Sequence, residues 1–237
     1  MIVDCHTHIS SGTEQVDTSE HLAAAETVDA CIVLAGAAEA IDKSNKKLSE
    51  YVKQHQSKMI GFAAVEPAKV SVTTRELSVL RDKMSLAGTV VYCSKSAFHP
   101  ADSQAMKFYE AAEELSMPVF FHNSGEMEPG SILDYSQPYL LDEVARNFPD
   151  LKMVIGNMGC PFLEQTLAML SKHENVFADL TISPEKPWQV YTTILTAYES
   201  EVMEKLLFGS GFPYGNAGEC IETLLGFNKL LGDINLP

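Results

Sequence analysis

The sequence predicts a single (β/α)₈ TIM barrel over residues 1–237, and three observations support this fold class. First, eight short β-rich runs alternate strictly with helix-forming stretches along the chain. Second, the repeat averages roughly 30 residues, which is the size of one strand–helix unit. Third, several of the runs are almost continuously apolar, as expected for parallel strands that are buried on both faces.

The individual elements follow from the same alternation. In chain order, the predicted strands cover residues 2–5, 30–34, 59–65, 88–93, 118–122, 153–156, 176–180 and 206–209. The clearest helical stretches between them are EAIDKSNKKLSEYVKQHQ, TTRELSVLRDKM, DSQAMKFYEAAEEL, YLLDEVARNF and CPFLEQTLAMLSKH. The main alternative is a doubly wound open sheet, which usually has a glycine-rich phosphate-binding turn after its first strand. This chain has CHTHIS at that position, so we expect the barrel.

The composition indicates which kinds of partner and which cellular compartment to expect. A formal net charge of −15 repels nucleic acid and anionic membrane surfaces, so we expect a small-molecule or protein partner. No run of ~18 apolar residues is present, and the first residues read as a strand rather than a leader peptide. The five cysteines are scattered without a CxxC pair, which is typical of reduced thiols. Together these features predict a cytoplasmic protein without a membrane segment.

Two histidines, His6 and His8, stand one residue apart at the end of the first predicted strand. Because side chains alternate along a strand, both point the same way, toward the catalytic mouth of a barrel. An isolated pair of this kind is more often two hydrogen-bonded polar residues than a metal site. The stretch MPVFFHNSG, however, places His122 at the equivalent end of the fifth strand. Three imidazoles on one rim predict an open, catalytic-type site for a divalent ion, with Zn²⁺ preferred.

The other histidines give weaker signals. His99 follows the fourth strand in SAFHPAD and is a candidate substrate contact at the mouth. His21, His55 and His173 fall in helical or connecting segments, where we expect them to be exposed.

The carboxylates near strand ends are candidates for acid–base or substrate roles. Glu126 in HNSGEMEPG is a candidate substrate contact, although a solvated loop residue has the same pattern. Glu66 and Asp179 end strands. A solvated or hydrogen-bonded role explains Glu66 more readily than an acid–base role, whereas the two explanations are nearly balanced for Asp179. Asp4 lies one pleat below His6, where a buried hydrogen-bond partner is expected. Phe212 is a further candidate for the pocket wall, with ordinary packing as the alternative.

The sequence as a whole resembles the amidohydrolase superfamily, in particular the amidohydrolase-related metal enzymes that include decarboxylases and lactone hydrolases. The resemblance is carried, in the family's order, by MIVDCHTH, GFAAVEP, PVFFHNSG, FPDLKMVIGNMGCPFLEQTLAML, NVFADLTIS and LLFGSGFPYG. It implies a distorted (β/α)₈ barrel, a divalent metal that is often zinc, and His6, His8 and His122 as its ligands. Relatives of this kind are commonly dimers, so a homodimer is one expected assembly.

Two positions depart from the family's pattern. The segment that usually reads G-H-x-G after strand 6 has Asn157 in place of the histidine, and asparagine cannot take up a proton near neutral pH. The segment that usually reads G-S-D-x-P after strand 8 has Gly211 in place of the aspartate. In relatives that aspartate is a metal ligand and moves a proton, and glycine does neither. The resemblance leaves Asn157 only a hydrogen-bonding role in catalysis.

Two function classes follow from these observations. The first is a metal-dependent hydrolase or lyase with a reduced acid–base set, acting on a small anionic carbonyl or lactone-type metabolite. The second is a barrel of the same family that binds a metabolite or a protein partner without catalysis. The persistence of all three histidines favours the first, and the absence of an aspartate at 211 predicts weak metal binding or an empty site.

Overall fold

The computed structural model describes residues 1–11, 14–15, 17–37, 40–123 and 129–227. Eight parallel strands form one nearly closed barrel in which each strand pairs with the next along the chain, so the predicted fold is confirmed. The strands are β1 Val3–Thr7, β2 Ala30–Leu34, β3 Met59–Ala64, β4 Leu86–Val91, β5 Val119–Phe121, β6 Met153–Ile155, β7 Val176–Asp179 and β8 Leu206–Leu207.

Eight α-helices alternate with these strands in the described part of the chain. They are α1 Thr18–Ala24, α2 Ile41–Gln54, α3 Thr74–Asp82, α4 Ser103–Glu114, α5 Asp142–Asn147, α6 Leu163–Lys172, α7 Pro187–Glu199 and α8 Ala217–Leu225. No helix among the described residues is long and apolar enough to cross a membrane.

The ladder of the sheet is open between β8 and β1, and this seam gives the barrel its distortion. Backbone hydrogen bonds still cross it just beyond the short β8. The Cys5 N–H donates to the Phe208 carbonyl at 2.8 Å, and the His8 N–H donates to the Phe212 carbonyl at 2.9 Å. The Gly211 N–H donates to the His6 carbonyl at 2.9 Å. The loop after β8 therefore holds the strand that carries the first two histidines.

Side-chain caps explain where several helices begin. The Asp102 carboxylate accepts the Gln104 N–H at 2.8 Å at the start of α4, and the Asn216 side chain accepts the Gly218 N–H at the start of α8. A Thr73 and Glu76 capping box begins α3. These caps satisfy backbone donors that no turn of the helix can reach.

The predicted element positions agree with the structure except at their ends. The second strand has the predicted bounds, whereas β4 begins two residues before the predicted run and β8 ends two residues before its predicted end. The helices α1, α7 and α8 have no counterpart among the five stretches that the sequence analysis singled out. Two of them, α1 and α8, are short, with seven and nine residues, and α7 has weak apolar periodicity.

Candidate metal centre

His6 lies at the end of β1 inside the barrel, where only 5% of its surface is exposed. Its ring meets the Phe120 ring edge to face, with centroids 5.2 Å apart. The Nδ1 atom lies 2.5 Å from Asp179 Oδ2, and the Asp4 carboxylate accepts the His6 backbone N–H at 3.2 Å. Asp4 is thus a buried hydrogen-bond partner, as the sequence predicts. With Nδ1 turned to a carboxylate, the Nε2 atom of His6 faces the barrel mouth.

His8 follows β1 and is partly buried beside His6. Its Nδ1 atom lies 3.1 Å from the Leu34 carbonyl oxygen, which can only accept a hydrogen bond. The proton of a neutral His8 ring is therefore on Nδ1, and the Nε2 lone pair is free to bind a ligand. Burial, and next the charge of the neighbouring His6, lower the pKa of His8 to about 3. His8 is accordingly neutral, the form that metals bind.

His122 extends the β5 ladder by one residue, because its backbone N–H donates to the Val91 carbonyl at 2.9 Å. Its ring packs against the Tyr92 ring with centroids 4.7 Å apart, and the Tyr92 hydroxyl donates to the Ala35 carbonyl at 2.7 Å. Burial, followed by the charges of His6 and His8, holds the pKa of His122 well below its usual range. This ring is therefore also kept neutral.

The three rings converge on one point at the mouth. His6 Nε2 lies 3.2 Å from His8 Nε2 and 3.3 Å from His122 Nε2. All the candidate ligand atoms of this group lie within 4.8 Å of one another, and the group could hold a metal ion. Zinc–nitrogen bonds of ~2.0–2.1 Å at tetrahedral angles place two nitrogens about 3.3–3.4 Å apart. The observed spacing of the Nε2 atoms fits such an ion. The ion would also lie between Nε2 lone pairs that otherwise face each other.

Asp179, at the end of β7, is fully buried and fixes the orientation of His6. Its Oδ2 atom accepts the Asn157 backbone N–H at 3.0 Å and the Thr181 hydroxyl at 2.5 Å, besides facing His6. Its Oδ1 atom accepts the Thr181 backbone N–H at 2.9 Å. Burial raises the pKa of Asp179, but the His6 charge and these hydrogen bonds outweigh burial and lower the pKa overall. The carboxylate is therefore ionised, and it supports His6 from behind as outer partners of metal sites do.

Comparisons with known proteins give the family of the chain and solved structures with the same fold. The family profile described as amidohydrolase matches residues 3–232. The chain belongs to the amidohydrolase family. No curated protein sequence matches the chain.

Several solved structures have the fold of this amidohydrolase at low sequence identity. A probable 2-pyrone-4,6-dicarboxylic acid hydrolase from Acinetobacter baumannii, with citric acid bound, has 16% identity and a TM-score of 0.71 over 98% of this chain and 92% of its own. A dihydroxybenzoic acid decarboxylase from Polaromonas, with bound manganese and the inhibitor 2-nitroresorcinol, has 15% identity and a TM-score of 0.69, covering 94% and 90%. The 5-carboxyvanillate decarboxylase of Sphingomonas paucimobilis has 13% identity and a TM-score of 0.67, covering 94% and 92%.

The two positions that the sequence analysis expects to differ from the family's pattern, Asn157 and Gly211, make backbone contacts behind His6. Asn157 follows β6 with φ +51° and ψ +41°, a left-handed conformation that asparagine tolerates well. Its backbone N–H is the group that holds Asp179. Gly211 has φ +67° and donates its N–H to the His6 carbonyl. Both residues therefore support the histidines through their backbones.

The residues predicted to contact a substrate do not share one environment. His99 is exposed on the loop after β4, where its Nδ1 accepts the Ala101 N–H and its ring lies 5.9 Å from that of Tyr135. Phe212 is buried, and its ring packs against His21 at 5.1 Å. Glu126 lies outside the described residues. Substrate binding by these three residues stays a prediction.

Several sequence expectations about other residues were wrong or incomplete. His21 and His173 are buried, not exposed, because His21 bonds the Tyr51 hydroxyl at 2.7 Å and His173 bonds Asp142 at 2.7 Å. His55 is partly buried against Tyr51. A small cavity next to the site is lined by residues that the pattern gave no reason to single out, among them Asn123, Tyr135, Ser136 and Gln137 beside His122.

Glu66 and Thr181 each follow the end of a strand and are hydrogen-bonded there. The Glu66 carboxylate accepts hydrogen bonds from Lys69 at 2.8 Å and from Ser96 at 2.9 Å, the hydrogen-bonded strand-end role that the sequence offered as one alternative. Thr181 bonds both Asp179 and His6, and the sequence analysis missed it. Its only signal was the position two residues after Asp179 in FADLTIS.

Proposed function

We propose that the protein is a metal-dependent hydrolase or lyase that acts on a small anionic carbonyl or lactone-type compound, with one Zn²⁺ bound by His6, His8 and His122. The observation that supports this proposal is the convergence of three Nε2 atoms, two of them held by hydrogen bonds at the opposite ring nitrogen. A divalent ion bound there would act as a Lewis acid toward a substrate oxygen and acidify a coordinated water.

The charge balance of the site supports an anionic substrate. Three neutral imidazoles do not offset the double charge of a divalent ion, and Asp179 offsets part of it from behind His6. A residual positive charge at the mouth attracts a carboxylate, even though the chain as a whole carries a net charge of −15. The three similar structures named above are described as a hydrolase or decarboxylases of pyrone or aromatic carboxylates. The substrate class is consistent with those descriptions.

Asp179 and Asn157 have the remaining roles in the proposed mechanism. The Asp179 carboxylate holds the His6 ring so that Nε2 faces the mouth. In this proposal the Asn157 side-chain amide donates a hydrogen bond to a substrate carbonyl or oxyanion, a contribution worth about 3–4 kcal/mol in favourable sites. It cannot carry a proton, so protons exchange with solvent and turnover is slow compared with enzymes that have a histidine there.

A substrate panel with and without chelator tests this proposal. Purified protein is analysed for zinc and manganese, reloaded with each ion, and assayed on 2-pyrone-4,6-dicarboxylate, 2,6-dihydroxybenzoate, 5-carboxyvanillate and simple lactones. We expect one ion per chain and slow turnover of at least one carboxylate, abolished by chelation. Turnover that resists the chelator, or a chain that binds no divalent ion at all, would contradict the proposal.

A second candidate function is a barrel that binds a metabolite or a protein partner without catalysis. It is favoured by Asn157 and Gly211, which stand where the family has a proton-transferring histidine and an acidic ligand. Binding of the same carboxylates without turnover, in metal-loaded protein, would support it. A homodimer and a cytoplasmic location stay predictions from the sequence.

A further inference from the structure

Thr181 adopts a backbone conformation that is unusual for its residue type. Its φ is +23°, and β-branched residues rarely occupy positive φ because the branched side chain meets the backbone. The surroundings hold it there through two bonds to the same carboxylate, from the backbone N–H to Asp179 Oδ1 at 2.9 Å and from the hydroxyl to Asp179 Oδ2 at 2.5 Å. Strain of this kind persists only where neighbouring contacts enforce it.

The Thr181 hydroxyl also lies beside the ring that Asp179 orients. Its Oγ1 atom is 3.0 Å from His6 Nδ1, which itself is 2.5 Å from Asp179 Oδ2. The threonine hydroxyl donates to the carboxylate, and the imidazole N–H donates to the same carboxylate oxygen. The three groups form a closed triangle behind the metal-facing side of His6.

The Thr181 methyl group occupies a different space, next to Gly211. A Cβ atom built on Gly211 would lie 2.9 Å from Thr181 Cγ2, closer than packed carbon atoms approach. Gly211 is buried and has φ +67°, so it has little freedom to move away. The volume that a side chain at 211 would need is therefore filled by the threonine methyl.

We infer that Thr181 is a positioning residue with two separable roles. Its hydroxyl holds Asp179 against His6, and its methyl group takes the place of the side chain that Gly211 lacks. The inference rests on the proposed metal site and deepens it. A single Gly211→Asp substitution does not restore an acidic ligand, because the aspartate first meets the methyl group. Thr181→Ser removes that methyl group, so the same substitution then restores an acidic side chain, at the remaining cost of an aspartate with φ +67°.

The hydroxyl role is tested with two substitutions that change one feature each. Thr181→Val keeps the branched shape and removes the hydroxyl, whereas Thr181→Ser keeps the hydroxyl and removes the methyl. Outer partners of metal-binding histidines typically contribute 10–100-fold to affinity. We expect Thr181→Val to weaken Zn²⁺ binding by about 10-fold or more, measured by competition titration with a chelator, and Thr181→Ser to bind within about threefold of wild type. Thr192→Val and Thr192→Ser, on the exposed face of α7, serve as matched controls without effect.

An NMR measurement on the metal-free protein keeps this test independent of the proposed function. The strongly hydrogen-bonded Nδ1 proton of His6 is expected in ¹⁵N-edited spectra of wild type and Thr181→Ser, with faster solvent exchange in Thr181→Val. If wild type binds no metal but this pattern holds, the proposed function fails and the positioning role stands. Equal exchange in all three proteins, or wild-type zinc affinity in Thr181→Val, would overturn the hydroxyl role.

The space-filling role is tested by a double-mutant cycle between positions 181 and 211. We expect Gly211→Asp alone to lower the melting temperature and to leave zinc affinity at or below that of wild type. We expect Gly211→Asp with Thr181→Ser to recover part of the melting temperature and to bind zinc at least about 10-fold more tightly than Gly211→Asp alone. Additive effects of the two substitutions on both readouts would show that the positions do not compete for space, and would overturn this role.

Discussion

The rim of the barrel has two regions that differ in the side chains they could offer to a metal ion. At the ends of β1 and β5, His6, His8 and His122 bring three ring nitrogens together. Asn157 and Gly211, which follow β6 and β8, carry no ionisable side chain. One region therefore offers three candidate ligand atoms, and the two positions of the other offer none from an ionisable side chain.

The second region nevertheless supports the first through its backbone. The Asn157 N–H holds Asp179, and the Gly211 N–H holds the His6 carbonyl. Gly209 leaves the room that Asp179 needs, since a Cβ at that position would overlap Asp179 Oδ1. We infer that backbone support and acid–base chemistry are separable at this rim, and the substitutions at positions 122, 209 and 157 described below test that separation.

Removal of a histidine from the first region should have the largest effect. We expect His122→Ala to abolish stoichiometric zinc binding, because two imidazoles remain where three converge. Isothermal titration with Zn²⁺ measures the loss, which should exceed the 10–100-fold typical of outer partners. His99→Ala removes an exposed histidine and serves as the control. Zinc affinity that survives in His122→Ala would place the ion elsewhere.

His21, which packs against Phe212 of the loop after β8, should make the free energy of unfolding depend on pH. Burial, and next the charge of His55, lower the pKa of His21 to about 4, compared with ~6.5 in an unfolded chain. Between these values the unfolded state binds the extra proton, so the free energy of unfolding falls as the pH drops from about 6.5 to 4. The shift corresponds to at most about 3 kcal/mol.

His21→Gln should remove most of that pH dependence, measured as the free energy of unfolding in urea at pH 4.5, 5.5 and 7. His99→Gln should keep the wild-type slope, because His99 is exposed. If the free energy of unfolding of His21→Gln depends on pH as strongly as that of wild type, another group causes the loss of stability at low pH.

A methyl group at Gly209 should disturb the support of His6 from the second region. A Cβ there would lie 2.1 Å from Asp179 Oδ1 and 3.0 Å from His6 Cβ, so the carboxylate must move. We expect Gly209→Ala to lower the free energy of unfolding by about 1–3 kcal/mol and to weaken zinc binding. Thermal unfolding and zinc titration measure the two effects. Gly130→Ala is the control, because nothing lies within 4 Å of its added methyl, and equal behaviour of the two variants would contradict the packing argument.

The sequence predicted more of the first region than of the second. The HxH spacing and the strand-end position of His122 were sufficient, because strand geometry alone places such side chains on one rim. The bonds from Asn157 and Thr181 to Asp179 could not be predicted, since they depend on positive φ values in loops that no periodic pattern specifies. Burial of His21 and His173 was missed for a related reason: each is satisfied by a partner about 30 residues away, Tyr51 and Asp142.

The smallest effect on metal binding is expected at Asn157, where side chain and backbone can be separated. Asn157→Ala keeps the N–H that holds Asp179, so zinc affinity should stay within about threefold of wild type. The left-handed backbone at φ +51° suits asparagine better than alanine, so the free energy of unfolding should fall by about 1 kcal/mol. If the amide donates to a substrate oxyanion, turnover of the metal-loaded enzyme should fall about 100-fold while KM changes little. Asn157→Gly, which relieves the backbone strain, should recover stability and leave turnover low. A large loss of zinc affinity in either variant would show that the side chain supports the metal, and the separation of backbone support from chemistry would then fail.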